Sequence, residues 1–213
     1  AGVIVDLDPP MPDRIGRVYS LLDLPDGSLA VGGRRGLCLY KRSEWRCLDA
    51  ATDGIVPGPL RHLAVDSEGR LWMTSFGGGL GWIDDDGAGY ISTTNDQLPE
   101  RYLSAVHFGA DGNVWLQGNT GMTRLREADL HRARRDPTQP IHWTLVDVGE
   151  SNGWLRNSSA TLDDGSLWIA GTKSIAVVET GSPLRDDATP PPRIQRFTVG
   201  EYDVPSGSSG EYE

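Results

Sequence analysis

The chain repeats one short phrase four times, and this repetition limits its fold more than any other feature. Each copy is an acidic residue followed by glycine between two apolar runs, which is the strongest short-range signal for a β-hairpin. The copies are Asp26-Gly27-Ser28-Leu29-Ala30, Glu68-Gly69-Arg70-Leu71-Trp72, Asp111-Gly112-Asn113-Val114-Trp115 and Asp164-Gly165-Ser166-Leu167-Trp168. An interval of roughly 40 to 50 residues predicts a fold that repeats one unit of about four strands.

Strand and turn signals divide the chain into four repeat units, at about residues 13–50, 58–94, 101–147 and 154–180. The first three units each read as four short strands. The third also carries an insertion, in which residues 128–135 are predicted to form one or two helical turns. The fourth unit lacks its last strand. Residues 1–6 read as a strand that either closes a ring by completing unit four or completes a blade that precedes unit one.

Four-stranded units at this spacing predict an all-β fold, a β-propeller of four-stranded antiparallel blades. The four units form a whole propeller or part of a larger one. Because one unit cannot bury both of its faces alone, neighbouring blades must stack. Trp72, Trp115 and Trp168 recur at one position of the repeat, so we predict that they fill the spaces between blades.

The charge of the chain limits its partners. The 213 residues carry a formal net charge of −10 at pH 7. Nucleic acids and anionic membranes both require a cationic face, so we expect neither as a partner. No run approaches the roughly 20 apolar residues of a membrane span, and the start of the chain lacks the regions of a signal peptide. We therefore expect a chain that is soluble as given, or one cut from a longer protein.

The two cysteines, Cys38 and Cys47, are too few for a disulfide framework or a four-cysteine zinc site. They flank a tight turn at residues 42–43, and counting outward from it pairs Tyr40 with Trp45 and Cys38 with Cys47. Opposed residues of antiparallel strands can form a disulfide only in some registers. The sequence favours two buried thiols and leaves open a disulfide, which would indicate an oxidising compartment.

Several features together resemble the two-component regulator propeller repeat. The Asp-Gly-x-Leu-Trp turn is followed by a Gly-Leu third strand, as in Gly79-Leu80, and by a Leu-Pro link, as in Leu98-Pro99. Ala30 replaces the tryptophan of unit one, and Ser174 the glycine of unit four. The tail resembles the opening of the immunoglobulin-like β-sandwich that follows such propellers. The predicted domains are therefore a propeller over residues 1–189 and the start of that stalk domain, or a tail, over residues 190–213.

The resemblance implies a periplasmic ligand-sensing region of an inner-membrane receptor that is coupled to a histidine kinase or a diguanylate cyclase. The expected partners are a small molecule or oligosaccharide, the rest of the receptor chain and a second copy in a homodimer. No catalytic activity is expected in this region, and no cofactor. The family has no universal ligand motif, so binding residues must be argued from geometry.

Geometry points to one end of the blades. In a propeller, the links between blades and the loops between second and third strands lie on the same face. Guanidinium groups bind carboxylates and aromatic rings stack on sugars, so we predict that this face binds an anionic or hydroxyl-rich ligand. The predicted binding residues are Arg14, Arg17, Arg34, Arg35, Arg61, His62, Phe76, Arg101, Tyr102, Asn119, Trp154, Arg156, Asn157 and Lys173.

Two other functions stay open on the sequence alone: a metal-dependent lactonase or lyase propeller, and a protein-interaction scaffold. A catalytic metal would need several acids and amides on the inner strands, which instead offer mainly serines and histidines. The histidines lack the spacing of a zinc site, and residues 84–87 start like a calcium loop without the later oxygen ligands. We therefore predict no metal ligands.

Overall fold

The computed structural model describes residues 9–93, 97–146, 154–162, 164–171, 175–178, 197–199 and 202–204. The chain divides into two compact units, Ala1–Gly181 and Ser182–Glu213. The predicted strand at residues 1–6 lies outside the described residues. So does the predicted boundary near residue 190, which stays a prediction.

The first unit is a series of antiparallel sheets, each built from strands that are consecutive in the chain. A short 3-10 helix, Asp13–Ile15, precedes blade one, which contains β1 (Val18–Asp23), β2 (Leu29–Gly33), β3 (Gly36–Lys41) and β4 (Glu44–Leu48). Blade two contains β5 (Leu60–Val65), β6 (Leu71–Ser75), β7 (Gly79–Asp84) and β8 (Gly87–Ile91). Blade three contains β9 (Leu103–Phe108), β10 (Asn113–Gly118), β11 (Met122–Arg126) and β12 (Trp143–Val146).

The described part of blade four is a three-stranded sheet of β13 (Trp154–Thr161), β14 (Leu167–Gly171) and β15 (Ile175–Val178). The inner strand of each blade lies beside the inner strand of the next, so β5 contacts β1 and β9, and β13 contacts β9. This arrangement confirms the predicted β-propeller fold with four repeat units.

The repeated phrase forms the same turn in every blade. In blade one, the Gly27 N–H donates to the Leu24 carbonyl at 2.9 Å and the Leu24 N–H donates to the Ser28 carbonyl at 2.8 Å. Equivalent pairs of bonds close the turns at Gly69, Gly112 and Gly165. All four glycines have a φ angle between 76° and 82°. Residues with a side chain rarely adopt this conformation, which is why glycine recurs there.

Two of the three repeated tryptophans fill the spaces between blades, as predicted. Trp72 is 0% exposed and belongs to a core cluster with Val106 and Val114 of blade three, while Trp115 is 1% exposed and packs with Ile169 of blade four. Such junctions explain why one unit needs its neighbours for stability.

The prediction is wrong for Trp168, which is 40% exposed. Its indole Nε1 donates to Ser166 Oγ at 2.9 Å, within the repeated turn. Trp168 is exposed because, among the described residues of this unit, no further blade follows β13–β15 to cover it.

Cys38 and Cys47 are directly opposed across β3 and β4, in the predicted register, with their Cα atoms 4.0 Å apart. This short spacing is that of a pair without mutual backbone hydrogen bonds, whose side chains lie close together. The two residues form a disulfide. The favoured interpretation of two thiols is therefore wrong, and the alternative holds.

The insertion in unit three forms α1 (Glu127–Arg135), a nine-residue helix that includes the predicted helical turns. It lies at the end of the blades that carries the repeated turns, because the Glu127 N–H donates to the Gly112 carbonyl at 2.9 Å. Arg134 NH1 pairs with Asp84 Oδ2 at 2.7 Å, so α1 connects blades two and three. No helix in the described part of the chain has the length and apolar character needed to cross a membrane.

The second unit is described as one antiparallel hairpin, β16 (Phe197–Val199) and β17 (Tyr202–Val204). A hairpin is a component of many β folds, so an immunoglobulin-like domain in this unit stays a prediction.

Candidate functional site

The links and the glycine loops contact each other at one end of the blades. The N–H groups of Gly77 and Gly79 both donate to the Arg101 carbonyl, at 3.0 and 3.1 Å. Phe76 and Tyr102 form an isolated antiparallel bridge. These backbone bonds hold the loop of blade two against the link to blade three, and they fix the positions from which the site side chains project.

Six side chains from this end form a continuous row of planar groups, which we call the arginine–aromatic row. Its members, in spatial order, are Arg17, Tyr19, Arg61, Phe76, Tyr102 and Arg101. The row starts on blade one, crosses blade two and ends on the link to blade three, so it joins parts of the chain that are far apart in sequence.

Arg61 lies at the centre of the row. Its guanidinium carbon is 4.2 Å from the centre of the Tyr19 ring and 5.4 Å from that of the Phe76 ring. Both distances are within the range of cation–π attraction, which restricts the motion of the guanidinium. The N–H groups of a guanidinium lie in its plane, so contact of its face with an aromatic ring is compatible with donation to a carboxylate at its edge.

The second half of the row continues through the Phe76 and Tyr102 rings, whose centres are 5.0 Å apart. Arg101 lies 5.2 Å from the centre of the Tyr102 ring, and its NH2 group donates to Tyr102 Oη at 3.3 Å. At the other end, Arg17 is 5.7 Å from the Tyr19 ring. Arg17, Arg101 and Tyr102 are exposed, whereas the central members are partly buried. The exposed members of the row therefore present positive charge and aromatic surface to solvent, and the partly buried members lie between them.

Five of the six row members were predicted from the sequence, and Tyr19 was missed. The prediction considered links and loops, whereas Tyr19 lies inside β1. A signal was present, because Val18-Tyr19-Ser20 and Leu60-Arg61-His62 occupy the same position of the repeat, at the start of the inner strand.

Three other predicted residues lie outside the row. Arg14 NH2 donates to the Cys47 carbonyl at 2.7 Å, and Arg14 and Arg35 line a separate cavity of about 200 Å³ beside the disulfide. Arg34 is exposed, and its backbone N–H donates to the Arg17 carbonyl at 2.9 Å. The cations of this face therefore form two groups rather than the single group that was predicted.

Asn119 is exposed on the loop of blade three. The Glu100 carboxylate holds this loop, because it accepts hydrogen bonds from the N–H groups of Asn119 at 2.8 Å and Thr120 at 3.0 Å. Trp154, Arg156 and Asn157 belong to β13 and not to a link, because that strand begins at Trp154. Their side chains and all of Lys173 lie outside the described residues, so their role stays a prediction.

His62 lies apart from the row, in a polar cluster on the inner strands. Its ring centre is 5.0 Å from that of His107, and its Nδ1 accepts a hydrogen bond from the Val106 N–H at 3.4 Å. His107 Nε2 is 2.8 Å from Ser159 Oγ, and its Nδ1 is 3.2 Å from Thr161 Oγ1.

Burial makes both histidines poor proton acceptors. It lowers the pKa of His62, and burial together with the nearby His62 lowers the pKa of His107 to about 3. Removing a charged imidazolium from water is costly, so both rings are neutral at pH 7. The cluster joins blades two, three and four through neutral hydrogen bonds.

A charged cluster at the opposite end of the blades was not predicted. Asp66, Glu127 and His131 bring possible metal-ligand atoms within 4.8 Å of one another. However, Arg70 NH1 lies 3.2 Å from Asp66 Oδ2 and 3.1 Å from His131 Nε2. Because the Arg70 guanidinium already contacts two of the three residues, we interpret the cluster as an ion network that attaches α1 to blade two.

Asp66 is the hub of that network. Trp72 Nε1 donates to Asp66 Oδ2 at 2.8 Å, and His131 Nε2 lies 3.0 Å from the same oxygen. Burial alone would raise the pKa of Asp66, but the hydrogen bonds from Trp72, Arg70 and His131 outweigh it and lower that pKa. The carboxylate thus stays charged inside the blade junction.

Comparison with known proteins gave matches among solved structures alone, since no family model and no curated protein matches the chain. One similar structure is the extracellular domain of BT3049, a predicted hybrid two-component system of B. thetaiotaomicron. The TM-score is 0.58 at 17% identity, over 76% of this chain and 22% of that one.

A second similar structure is a catalytically inactive variant of virginiamycin B lyase from Staphylococcus aureus, with a TM-score of 0.54 at 18% identity, over 82% of this chain and 59% of that one. A third is PorZ, a bacterial surface component of the type-IX secretion system of Porphyromonas gingivalis. Its TM-score is 0.54 at 15% identity, over 76% of this chain and 24% of that one.

The chain therefore spans less than two thirds of the length of each of these structures. At such identities the similarity is one of fold, and it agrees with the resemblance to the two-component regulator propeller repeat. The first unit shares its fold with the extracellular domain of a two-component system, with a lyase and with a surface component of a secretion system.

Proposed function

We propose that this chain is a ligand-sensing region of a bacterial signalling receptor of the two-component or diguanylate cyclase type, and that the arginine–aromatic row binds the ligand. The observation that carries the proposal is the contact of the Arg61 guanidinium with both the Tyr19 and the Phe76 ring, with Arg17 and Arg101 at the two ends of the row.

The row favours an anionic or hydroxyl-rich ligand, with an acidic oligosaccharide as the best fit. Three guanidinium groups attract carboxylates and can bind them through two parallel hydrogen bonds. The exposed Tyr102 ring offers an apolar face and a hydroxyl group, which suits a sugar. The whole chain has a net negative charge, so the cationic region is local. This region would steer an anion to this end of the blades.

The proposed location is the periplasm, as part of an inner-membrane receptor. The disulfide between Cys38 and Cys47 supports it, because disulfides persist in oxidising compartments. The similarity to an extracellular domain of a two-component system supports it as well. Binding would change the output only if the ligand has different affinities for the two states of the receptor.

The test is a glycan array on the purified chain, followed by calorimetry with each glycan retained. We expect Arg61→Gln combined with Arg101→Gln to abolish binding of an acidic glycan and to leave the melting temperature unchanged. The loss of binding should be at least about 100-fold, because each charged hydrogen bond contributes about 1.5–3 kcal/mol.

The matched control is Arg46→Gln combined with Arg135→Gln, which removes the same charge from two exposed positions outside the row. This control separates contact with the ligand from general electrostatic attraction. Retained binding in the Arg61 and Arg101 variant would contradict the proposal that the row binds the ligand. An equal loss of binding in the control would mean that net charge, and not contact with the row, explains the loss.

A lyase-type enzyme is the second candidate, and the fold similarity to virginiamycin B lyase favours it. The polar cluster of His62 and His107 on the inner strands would then be the place of the chemistry. Metal analysis of the purified chain distinguishes the candidates, since a tightly bound divalent ion in a stoichiometric amount favours the enzyme and contradicts the sensor proposal.

A further inference from the structure

The cavity beside the disulfide of blade one, which we call the disulfide cavity, lies apart from the arginine–aromatic row. Its volume is about 200 Å³. It is lined by the 3-10 helix before β1, by the turn between β2 and β3, and by the end of β4 with the residue that follows it. The six members of the arginine–aromatic row do not line it. The cavity is therefore a candidate for a second, separate site.

Backbone contacts define the walls of the disulfide cavity. The Arg35 N–H donates to the Ile15 carbonyl at 3.2 Å, which attaches the turn to the 3-10 helix. Gly36 has a φ angle of 147°, and a Cβ atom at this position would overlap the Leu48 carbonyl oxygen. Glycine is needed where two backbone segments approach so closely. The turn and the end of β4 are therefore held together as two sides of one cavity.

Two guanidinium groups supply the positive charge of the disulfide cavity. Arg14 NH2 donates to the Cys47 carbonyl at 2.7 Å, which restricts the motion of this side chain. A guanidinium has several N–H donors, so one bond to a carbonyl leaves others for a ligand. Arg35 is exposed, and among the described residues its side chain forms no hydrogen bond or ion pair. Both groups are suited to donate to a carboxylate.

Asp49 supplies a negative charge in the same cavity. Its Oδ1 accepts hydrogen bonds from the N–H groups of Ala51 and Thr52, both at 2.9 Å. The hydrogen bonds from Thr52, followed by that from Ala51 and by the charge of Arg14, outweigh burial and lower the pKa of Asp49. A carboxylate can accept further hydrogen bonds beyond these two. Asp49 can therefore also bind a cationic group such as an ammonium.

The rest of the lining is apolar, and the space is small. Ile15, Leu37 and Leu48 are buried and line the cavity together with the disulfide. An apolar group that enters this space is removed from water, which is favourable. The volume corresponds to about seven water molecules at roughly 30 Å³ each. It lies below the roughly 300 Å³ at which pockets for drug-sized ligands begin, so the ligand must be a small molecule.

We propose that the disulfide cavity binds a free α-amino acid with an aliphatic side chain. Arg14 and Arg35 bind its carboxylate, Asp49 binds its ammonium group, and the apolar lining contacts its side chain. A simple carboxylic acid or an inorganic anion would place a negative charge beside Asp49 without pairing it, and like charges placed together are costly. The site goes beyond the proposed recognition of an acidic oligosaccharide and does not depend on it.

The test is calorimetry on the purified chain with L-leucine and with two analogues that each lack one charged group. These are 4-methylpentanoate, which lacks the ammonium group, and 3-methylbutylamine, which lacks the carboxylate. We expect L-leucine to bind and each analogue to bind at least about 10-fold more weakly, because each loses charged hydrogen bonds. Failure of L-leucine to bind would overturn the proposal, and so would equal binding of either analogue.

Two variants locate the binding. Arg35→Gln should weaken the binding of L-leucine at least about 10-fold. The matched control is Arg34→Gln, at the neighbouring exposed position outside the cavity lining, which should leave binding unchanged. Equal effects of the two changes would overturn the proposal.

Asp49→Asn keeps an oxygen that can accept the N–H groups of Ala51 and Thr52, so the turn should persist. This variant should lose most of the preference for L-leucine over 4-methylpentanoate, and an unaltered preference would contradict the role of Asp49. Arg61→Gln combined with Arg101→Gln should bind L-leucine as the unchanged chain does. That result would separate the disulfide cavity from the proposed glycan site, whereas a loss of L-leucine binding in this variant would overturn the assignment to a separate site.

Discussion

Replacing Trp72 and Trp115 separately by phenylalanine tests how the blade junctions are stabilised. Both indoles are almost fully buried at the same position of the repeat, so both changes leave a similar cavity. The indole N–H groups differ. Trp72 Nε1 donates to the Asp66 carboxylate at 2.8 Å, whereas Trp115 Nε1 is buried without a hydrogen-bond partner among the described residues.

The difference in free energy of unfolding can be estimated from these contacts. Trp72→Phe removes a hydrogen bond to a charged group, worth about 1.5–3 kcal/mol. Trp115→Phe removes a buried unpaired donor, which relieves about 1–3 kcal/mol of desolvation cost. Since the cavity terms largely cancel, the two effects add, and we expect Trp72→Phe to destabilise the chain by about 2.5–6 kcal/mol more than Trp115→Phe.

The assay is equilibrium unfolding in urea, followed by far-ultraviolet circular dichroism so that the signal does not depend on the replaced indole. Comparison requires equal slopes against urea concentration, because the slope reports the surface exposed on unfolding. Equal destabilisation by the two changes, or a larger effect of Trp115→Phe, would refute the reasoning that the bond to Asp66 strengthens its junction.

Two further predictions concern the charged network and the disulfide. Because folding lowers the pKa of Asp66, the stability that its carboxylate contributes should be fully present above the ordinary aspartate pKa near 3.9 and should decline as the pH falls below that value. The difference in free energy of unfolding between the unchanged chain and Asp66→Asn should therefore be smaller at pH 3 than at pH 7. Unfolding curves at both pH values measure this difference, with the exposed Asp23→Asn as control, and a constant difference would contradict the prediction. Replacing Cys38 and Cys47 together by serine should cost about 2–3 kcal/mol in the free energy of unfolding, the value for a short closed loop. Unfolding in urea with and without a reductant checks it, since a reductant should destabilise the unchanged chain and leave the double variant unaffected.

The blades could be predicted from the sequence because their signals are local. An acidic residue and glycine at a fixed position specify a turn, and the turn fixes the register of the strands on either side. The same reasoning gave the correct register for Cys38 and Cys47. Whether opposed cysteines form a disulfide depends on the distance between two strands, which the spacing of residues does not specify, and this explains why the favoured interpretation of two thiols was wrong.

The predictions failed where a residue depends on a distant part of the chain. Trp168 has the same position in the repeat as Trp72, but among the described residues no following blade covers it, so its exposure could not be predicted from the repeat. Arg14 was predicted on the correct face, but its guanidinium is held by the carbonyl of Cys47 in β4. The row itself needs residues of β1, β5 and the link before β9 to meet, which follows from the stacking of blades and not from any single motif.

The proposed ligand site and the contact between blades two and three use different atoms of Arg101, so the proposed function can be separated from stability. Arg101 holds the loop of blade two through its backbone carbonyl, whereas its guanidinium contacts the Tyr102 ring. Substitution of the side chain leaves the carbonyl in place, so the junction should persist when the row is changed. The opposite end of blade two is attached independently, through Asp66 and His131 of the ion network. A row variant that loses its ligand should therefore keep its blades, and this physical separation is what allows binding data on Arg61 and Arg101 to be interpreted as contact with the ligand.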